Sequence, residues 1–363
     1  MPKASNNLPY FTADLPGIGG EIKVEPEDFV VEEIPAYEPG GEGQHLFLWL
    51  QKRDIPHDQL IRRMASTLAV SPNDIGFAGI KDRRAVARQY VSVPISCQER
   101  VGDLNSDQIT VLQATPHVNK LKTGHLRGNR FTIVIRNPAE NALAVAESVV
   151  QRLSQFGFPN YYGDQRFGHD GETLKLGLDL LTGVKKPQEI PYSKRKFLLR
   201  LALSAVQSDL FNQALSQRLQ EGLLHTVLEG DILEVTQSGG KFVSEDVTQE
   251  QARLDAGEVT VTGPMFGVKM LSPHGVTLER ETKLLAESGL TLDLFQKYSQ
   301  LLSGARRSFV ARPAELETAQ VSEGIQLKFT LPSGVYATTL LRELMKDDSA
   351  AAPAPTEDAA DES

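Results

Sequence analysis

Residues 77–86 read FAGIKDRRAV, a stretch in which small and apolar residues surround a dense group of charges. One acid, Asp82, stands among three bases, Lys81, Arg83 and Arg84. Neighbouring positive charge favours the ionised form of a carboxylate, and an ionised carboxylate suits a nucleophile or a base. Taken alone, the stretch favours a charged loop tip in which Asp82 forms a salt bridge without a catalytic role. The stretch therefore marks Asp82 only as a candidate catalytic carboxylate.

Outward from this stretch, strand and helix patterns are mixed without a regular βαβ rhythm. Alternating or β-branched runs predict strands at residues 22–34 (interrupted by Pro26), 45–51, 88–95, 109–114, 130–136 and 327–331. Apolar residues at helical spacing predict helices at residues 57–70 and 137–156. A further long helix is predicted at residues 194–220, stopping at Gly222. This mixture predicts an α+β fold with largely antiparallel pairing.

The composition is that of an ordinary globular protein. The chain has 363 residues, 40% of them hydrophobic and 23% charged, which suggests about two domains. The one cysteine, Cys97, excludes an intramolecular disulfide and a cysteine-based zinc site. The N-terminus lacks the apolar run of a signal peptide, and no segment approaches the ~20 apolar residues of a membrane span. We expect a cytoplasmic protein without a membrane partner.

The net charge of −9 argues at first against a nucleic-acid partner. Residues 347–363 hold six acids and no base, and we expect this Ala/Pro-rich tail to be disordered. Basic residues cluster in the body in three groups, which are Lys81, Arg83, Arg84 and Arg88; Lys120, Lys122, His125, Arg127 and Arg130; and Lys185, Lys186, Lys194, Arg195, Lys196 and Arg200. Each cluster alone is better explained as a solvated surface, although such groups also neutralise phosphates. The second is the strongest candidate, because Gly124 and Gly128 punctuate it and a strand follows.

Common catalytic motifs are absent from the sequence. It contains no Walker A sequence, no Gly-x-Ser-x-Gly and no His-Glu-x-x-His.

Five segments in register resemble the motifs of the tRNA pseudouridine synthase D family. They are residues 23–31 (KVEPEDFVV), 76–86 (GFAGIKDRRAV, with Gln89 three further on), 128–131 (GNRF), 159–168 (PNYYGDQRFG), and the C-terminal pair 331–338 (LPSGVYAT) and 341–344 (LREL). The resemblance covers roughly residues 20–346. One such motif would not be specific, whereas five in the family's order are.

The resemblance implies a circularly permuted pseudouridine synthase core with an inserted α+β domain. We expect the core at residues 1–156 and 311–346 and the insertion at residues 157–310, with tRNA entering a cleft between them. The implied activity is conversion of uridine, usually uridine 13 in the D-arm of tRNA, to pseudouridine. This isomerisation is redox-neutral, so we expect no cofactor and no metal. We also expect a monomer.

The resemblance assigns the catalytic carboxylate to Asp82 and contacts with the target nucleotide to Phe29, Asn129 and Tyr336. Taken alone, Phe29 fits the core and Asn129 fits a turn beside Gly128. Tyr336 departs from the Phe found at this place in one member of the family, and its aromatic ring still suits stacking on a base.

Two basic residues, Lys23 and Arg342, are candidates for the cation that faces Asp82. Either fits an ordinary surface charge equally well, and the acids close to Lys23 in the sequence complicate its case.

Two other classes of function stay open on the sequence. One is a non-catalytic RNA-binding protein, against which an intact Asp82 and Tyr336 argue. The other is an Asp-dependent hydrolase acting on a nucleoside or sugar. Such an enzyme needs a second carboxylate to activate water, and the Asp82 motif contains none.

Overall fold

The computed structural model of the chain describes residues 8–346. The predicted disordered tail, residues 347–363, lies outside this range. The strands are β1 (Phe29–Pro35), β2 (His45–Arg53), β3 (Gly76–Phe77), β4 (Val86–Pro94), β5 (Ile109–His117), β6 (Leu126–Arg136), β7 (Phe158–Pro159), β8 (Ile232–Val235), β9 (Lys241–Val243), β10 (Val259–Met265), β11 (Ala305–Ser308), β12 (Val310–Ala311), β13 (Ala314–Val321) and β14 (Gly324–Pro332). The α-helices are α1 (His57–Leu68), α2 (Ala142–Phe156), α3 (Glu172–Thr182), α4 (Tyr192–Gln220), α5 (Val247–Asp255), α6 (Gly275–Glu287), α7 (Leu292–Gln296) and α8 (Ala337–Met345).

Eight strands form one large sheet in the order β13-β14-β6-β1-β4-β2-β5, with β3 paired to β4. The β1–β4 pair is parallel and the other pairs are antiparallel. The predicted α+β class with a mixed, largely antiparallel sheet is therefore confirmed. The C-terminal strand β14 lies beside β6 and β13 lies beyond β14 at the sheet edge, so the N-terminal and C-terminal parts of the described chain both contribute to this sheet.

One face of the large sheet is covered by α2 and α8. The side chains of Phe131, Ile133 and Ile135 alternate along β6 onto this face and are buried, as strand geometry requires. They share one apolar cluster with Val149 of α2 and Leu341 of α8. This packing fixes where α8 begins, and α8 begins directly after Tyr336.

Two predicted boundaries were wrong. The strand predicted for residues 22–34 starts only at Phe29, because Pro26–Asp28 forms a 3-10 turn and Lys23 has a φ of +58°. The helix predicted from residue 137 starts only at Ala142, because Asn137 and Asn141 take left-handed φ values of +51° and +60°. Asparagine tolerates this conformation well, so an Asn-Pro pair here forms a turn before the helix.

A second set of elements lies between α2 and β13 in the chain. It contains the four-stranded sheet β11-β10-β8-β9 and the helices α3 to α7. The chain enters it along β7 and leaves it along β12, and these two short strands pair with each other. The helix predicted for residues 194–220 is confirmed as α4. Within the described residues, every helix is too short or too polar to cross a lipid bilayer.

Candidate active site

Asp82 lies in the loop of residues 78–85 that joins β3 to β4. Its side chain is 43% exposed, and the Oδ2 atom is 3.0 Å from the Nζ atom of Lys23, whose side chain is only 11% exposed. The carboxylate therefore faces solvent on one side and a mostly buried cation on the other. This is the arrangement expected of a group that must meet a ligand while keeping a fixed orientation.

Lys23 links Asp82 to Phe29. The Lys23 ammonium lies 4.2 Å from the centroid of the Phe29 ring, a cation–π distance. Phe29 itself is 2% exposed and packs edge-to-face on Phe131. The left-handed backbone of Lys23 costs about 1–3 kcal/mol, a kind of strain that concentrates at functional sites. Lys23 thus contacts both the partly exposed Asp82 and the buried ring of Phe29.

The bases next to Asp82 in the sequence make other contacts. The Lys81 Nζ atom is 2.8 Å from Glu33 Oε2, and both side chains are buried. The Arg84 guanidinium donates to the carbonyl oxygen of Val24 at 2.5 Å. Within residues 8–346, the ion-pair partner of the Asp82 carboxylate is Lys23, which is 59 positions away in the sequence.

The buried side chain of Lys52 holds the backbone of the Asp82 loop through hydrogen bonds. It is fully buried at the end of β2, and its ammonium donates to the carbonyl oxygens of Ile55 (2.9 Å), Lys81 (2.8 Å) and Asp82 (3.0 Å). Successive carbonyls of an extended chain point in opposite directions. Because those of Lys81 and Asp82 converge on one cation, the ammonium holds the loop in an irregular conformation.

His57 lies close to this group and is an unsuitable acid or base. Burial, together with the nearby Lys52 and Lys81 ammonium groups, lowers the pKa of His57 to about 4. The imidazole is therefore neutral near pH 7, and its ring packs edge-on against Phe77.

Asn129 lies on β6, opposite Glu33 of β1 and Leu331 of β14. Directly paired residues of antiparallel strands share a face, so Asn129 is on the same face as Glu33. Its Oδ1 atom is buried and has no hydrogen-bond partner among the described residues. A buried acceptor left open in this way is rare and suits a hydrogen-bond donor supplied by a ligand.

Tyr336 stands just before α8 and is 41% exposed. Its ring centroid is 6.2 Å from that of Tyr162, which follows β7. Arg307 of β11 lies over the ring of Tyr162, with its guanidinium carbon 4.3 Å from the ring centroid. The Nη2 atom of Arg307 also donates to Asn160 Oδ1 at 2.6 Å and to the Gly334 carbonyl at 3.0 Å. A cleft of about 690 Å³ lies here, lined among others by Asn160, Tyr162, Arg307, Ser333 and Val335.

Known proteins are similar to this chain over most of its length. The family model described as tRNA pseudouridine synthase D matches residues 5–186 and 193–344. A tRNA pseudouridine synthase D of Thermus thermophilus is 42% identical over 352 residues, covering 96% of each chain. One of an Anaeromyxobacter species is 39% identical over 340 residues, covering 94% of this chain and 96% of the relative. The chain belongs to the tRNA pseudouridine synthase D family.

A solved structure supports the same membership. The crystal structure of a putative tRNA pseudouridine synthase D from Methanosarcina mazei matches with a TM-score of 0.74 and 26% identity, covering 95% of this chain and 98% of that one. As a member of the tRNA pseudouridine synthase D family, the chain is an isomerase that modifies tRNA.

The residues that family resemblance assigned to the site are distributed over several elements. Asp82 and Lys23 are in contact, Phe29 lies under Lys23, and Asn129 is next to Glu33 in the same sheet. Arg342, the other candidate cation, has its guanidinium 3.7 Å from the ring centroid of Tyr10. Its role beside Asp82 stays a prediction, as do the roles of Phe29, Asn129 and Tyr336.

Sequence reasoning missed Lys52 and Arg307. A lysine at the end of the otherwise apolar run of β2 was the available signal for Lys52. Asn160 and Tyr162 belong to the family motif at residues 159–168, but their partner Arg307 lies outside every motif. Across residues 8–346, no group of three or more His, Cys, Asp or Glu side chains is placed to hold a metal ion.

Proposed function

We propose that this enzyme converts a uridine of tRNA, the uridine at position 13 in the D-arm, to pseudouridine with Asp82 as the catalytic carboxylate. The observation that carries the proposal is the Asp82 carboxylate itself. It is 43% exposed, yet it is held by the mostly buried Lys23 and by a loop whose backbone is bound to Lys52.

The reaction breaks the C1′–N1 bond, turns the uracil and joins C5 to C1′. A carboxylate beside the sugar either attacks C1′ or removes the C2′ proton, and in this proposal Asp82 takes one of these roles. Lys23 keeps the carboxylate oriented through its 3.0 Å contact. Preorganised charge of this kind is a large contributor to catalysis.

The other residues hold the uracil after it has left the RNA stack, as base-modifying enzymes require. The open Oδ1 atom of Asn129 accepts a hydrogen bond from an N–H of the base. The exposed ring of Tyr336 supplies a stacking surface. Phe29 acts mainly through Lys23, because its ring lies beneath the ammonium. Residues 8–156 and 311–346 form the catalytic core in this proposal, and residues 157–310 form the inserted domain.

The test is pseudouridine mapping on an unmodified tRNA transcript with the wild type, Asp82→Asn, and Asp103→Asn as a matched control at an exposed acid away from the site. We expect the wild type and the control to modify uridine 13, and Asp82→Asn to give no detectable product while still binding tRNA. Substantial turnover by Asp82→Asn would remove the catalytic assignment. Modification of a different uridine would overturn only the position, and release of free uracil would indicate a hydrolase.

A further inference from the structure

The α3–α4 connection carries an unusual concentration of positive charge. Residues 183–200, here named the basic tip, contain Lys185, Lys186, Lys194, Arg195, Lys196 and Arg200 and a single acid, Glu189. The whole chain, by contrast, has a net charge of −9. A local basic patch on an acidic protein is complementary to a polyanion.

The cations of the basic tip are not used in ion pairs within the described part of the chain. Arg195 donates instead to the carbonyl oxygens of Ile190 (3.0 Å) and Gln188 (3.2 Å), which ties the connection to α4. Lys194 and Arg195 stand in the first turn of α4 and Lys196 follows directly, near the helix N-terminus, where the helix dipole disfavours positive charge. Helix stability therefore does not explain them.

The basic tip also exposes apolar side chains. Tyr192 is 88% exposed and Val184 is 76% exposed, the two highest values among the large hydrophobic side chains of residues 8–346. The Arg195 guanidinium lies 5.6 Å from the Tyr192 ring centroid. An exposed aromatic ring flanked by cations is the combination that binds an unpaired nucleotide, by stacking on the base and neutralising the phosphates.

The α4 helix connects the basic tip to the candidate active site. Ser208 accepts a hydrogen bond from Arg166 Nε at 3.3 Å, and the Arg166 guanidinium is 5.8 Å from the ring of Tyr162, which neighbours Tyr336. Lys194 precedes Ser208 by 14 residues, which is about four turns. The two residues therefore lie on one side of α4, about 21 Å apart along its axis.

We propose that the basic tip is a second RNA-contact surface, which binds the tRNA backbone about 21 Å along α4 from Ser208 and stacks Tyr192 on an unpaired base. This inference rests on the proposed function for the identity of the RNA. It also extends beyond the family pattern, because Tyr192 lies in the stretch between the two matched segments of the chain.

The test compares the double variant Lys186→Ala/Lys194→Ala with the control double variant Lys283→Ala/Lys297→Ala, which removes two other exposed lysines and the same charge. The affinity of each for full-length tRNA is measured as a function of salt, without turnover. Each lysine bound to a phosphate contributes about 1 to the slope of log K against log salt. We expect the basic-tip variant to reduce that slope by about 2 and to raise KM with kcat unchanged, and the control to match the wild type.

A second pair of variants tests the stacking. Tyr192→Ala is expected to weaken tRNA binding, and Tyr192→Phe is expected to restore it, since Phe supplies the same ring face. The proposal is overturned if the basic-tip double variant binds tRNA with the same slope as its control, or if kcat falls instead of KM rising. Equal affinities of Tyr192→Ala and the wild type would overturn the stacking. Because affinity is measured without turnover, these outcomes are separate from failure of the proposed reaction.

Discussion

The two sides of the candidate active site are supported in different ways. On the Asp82 side, the contacts come from charges of the large sheet and its loops: the ammonium groups of Lys23 and Lys52 and the buried Lys81–Glu33 ion pair. On the Tyr336 side, they come from Arg307 and Tyr162, which belong to the second set of elements, and they are partly exposed. The Asp82 carboxylate is thus held by buried charges, and the Tyr336 ring by a partly exposed contact with the second set of elements.

Among the residues that support the two sides, the largest effect is expected from Lys52→Met, which removes the buried ammonium. Three carbonyls lose their donor, and the Asp82 loop is free to shift. Misplacement by about 1 Å can cost about 10²-fold in rate, so we expect kcat to fall about 100-fold while the tRNA Kd changes little. Single-turnover kinetics and a binding titration measure the two quantities.

The matched control for this variant is Lys328→Met, which changes an exposed lysine of the same sheet. Circular dichroism at low temperature checks whether both variants are folded. A folded Lys52→Met enzyme with the wild-type rate would show that buried charge does not position Asp82, and the contrast between the two sides would disappear.

A smaller effect is expected on the Tyr336 side. A stacked aromatic is worth about 1–3 kcal/mol per base, and 1.4 kcal/mol is a factor of about ten. Tyr336→Ala should therefore lose roughly tenfold or more in single-turnover rate, and Tyr336→Phe should keep most of the activity. If the Phe variant is as impaired as the Ala variant, the hydroxyl takes part in the reaction and stacking is the wrong explanation.

The smallest effect is expected from Arg307→Met, which acts only through its neighbours. A cation–π contact at a partly exposed site is worth about 0.5–1 kcal/mol, or about two- to fivefold. We expect Arg307→Met to lower the single-turnover rate by this factor in the wild-type background and to leave it unchanged in the Tyr336→Ala background. A double-mutant cycle measures both effects. Additive losses would mean that Arg307 contributes independently of Tyr336.

Some residues of this site could be predicted from the charge pattern and the motifs of the sequence. Asp82 stood out as one acid in a basic stretch, and Lys23 and Arg342 were both candidates for the cation facing it. Resemblance could not choose between Lys23 and Arg342, because both are basic residues in matched motifs. The choice depends on the left-handed turn at Lys23, which brings the ammonium over Phe29.

Lys52 and Arg307 were beyond sequence reasoning for a different reason. Their roles depend on which backbone carbonyls and rings lie nearby, and only tertiary structure determines this. The same holds for strands β8 and β9, which have four and three residues and are too short to show an alternating pattern. The long strand β6 was predicted because its alternation extends over many residues.

The position of β14 has a consequence for how the chain folds as it is made. Strand β14 pairs with β6 from Gly324 opposite Arg136 to Pro332 opposite Gly128, about 190 residues later in the chain. At about 5–20 residues per second, β6 emerges from the ribosome about 10–40 s before its partner. During that interval the edge of β6 is open to pairing with other nascent chains. Synthesis speed through the second set of elements therefore sets how long the growing polypeptide needs protection by chaperones.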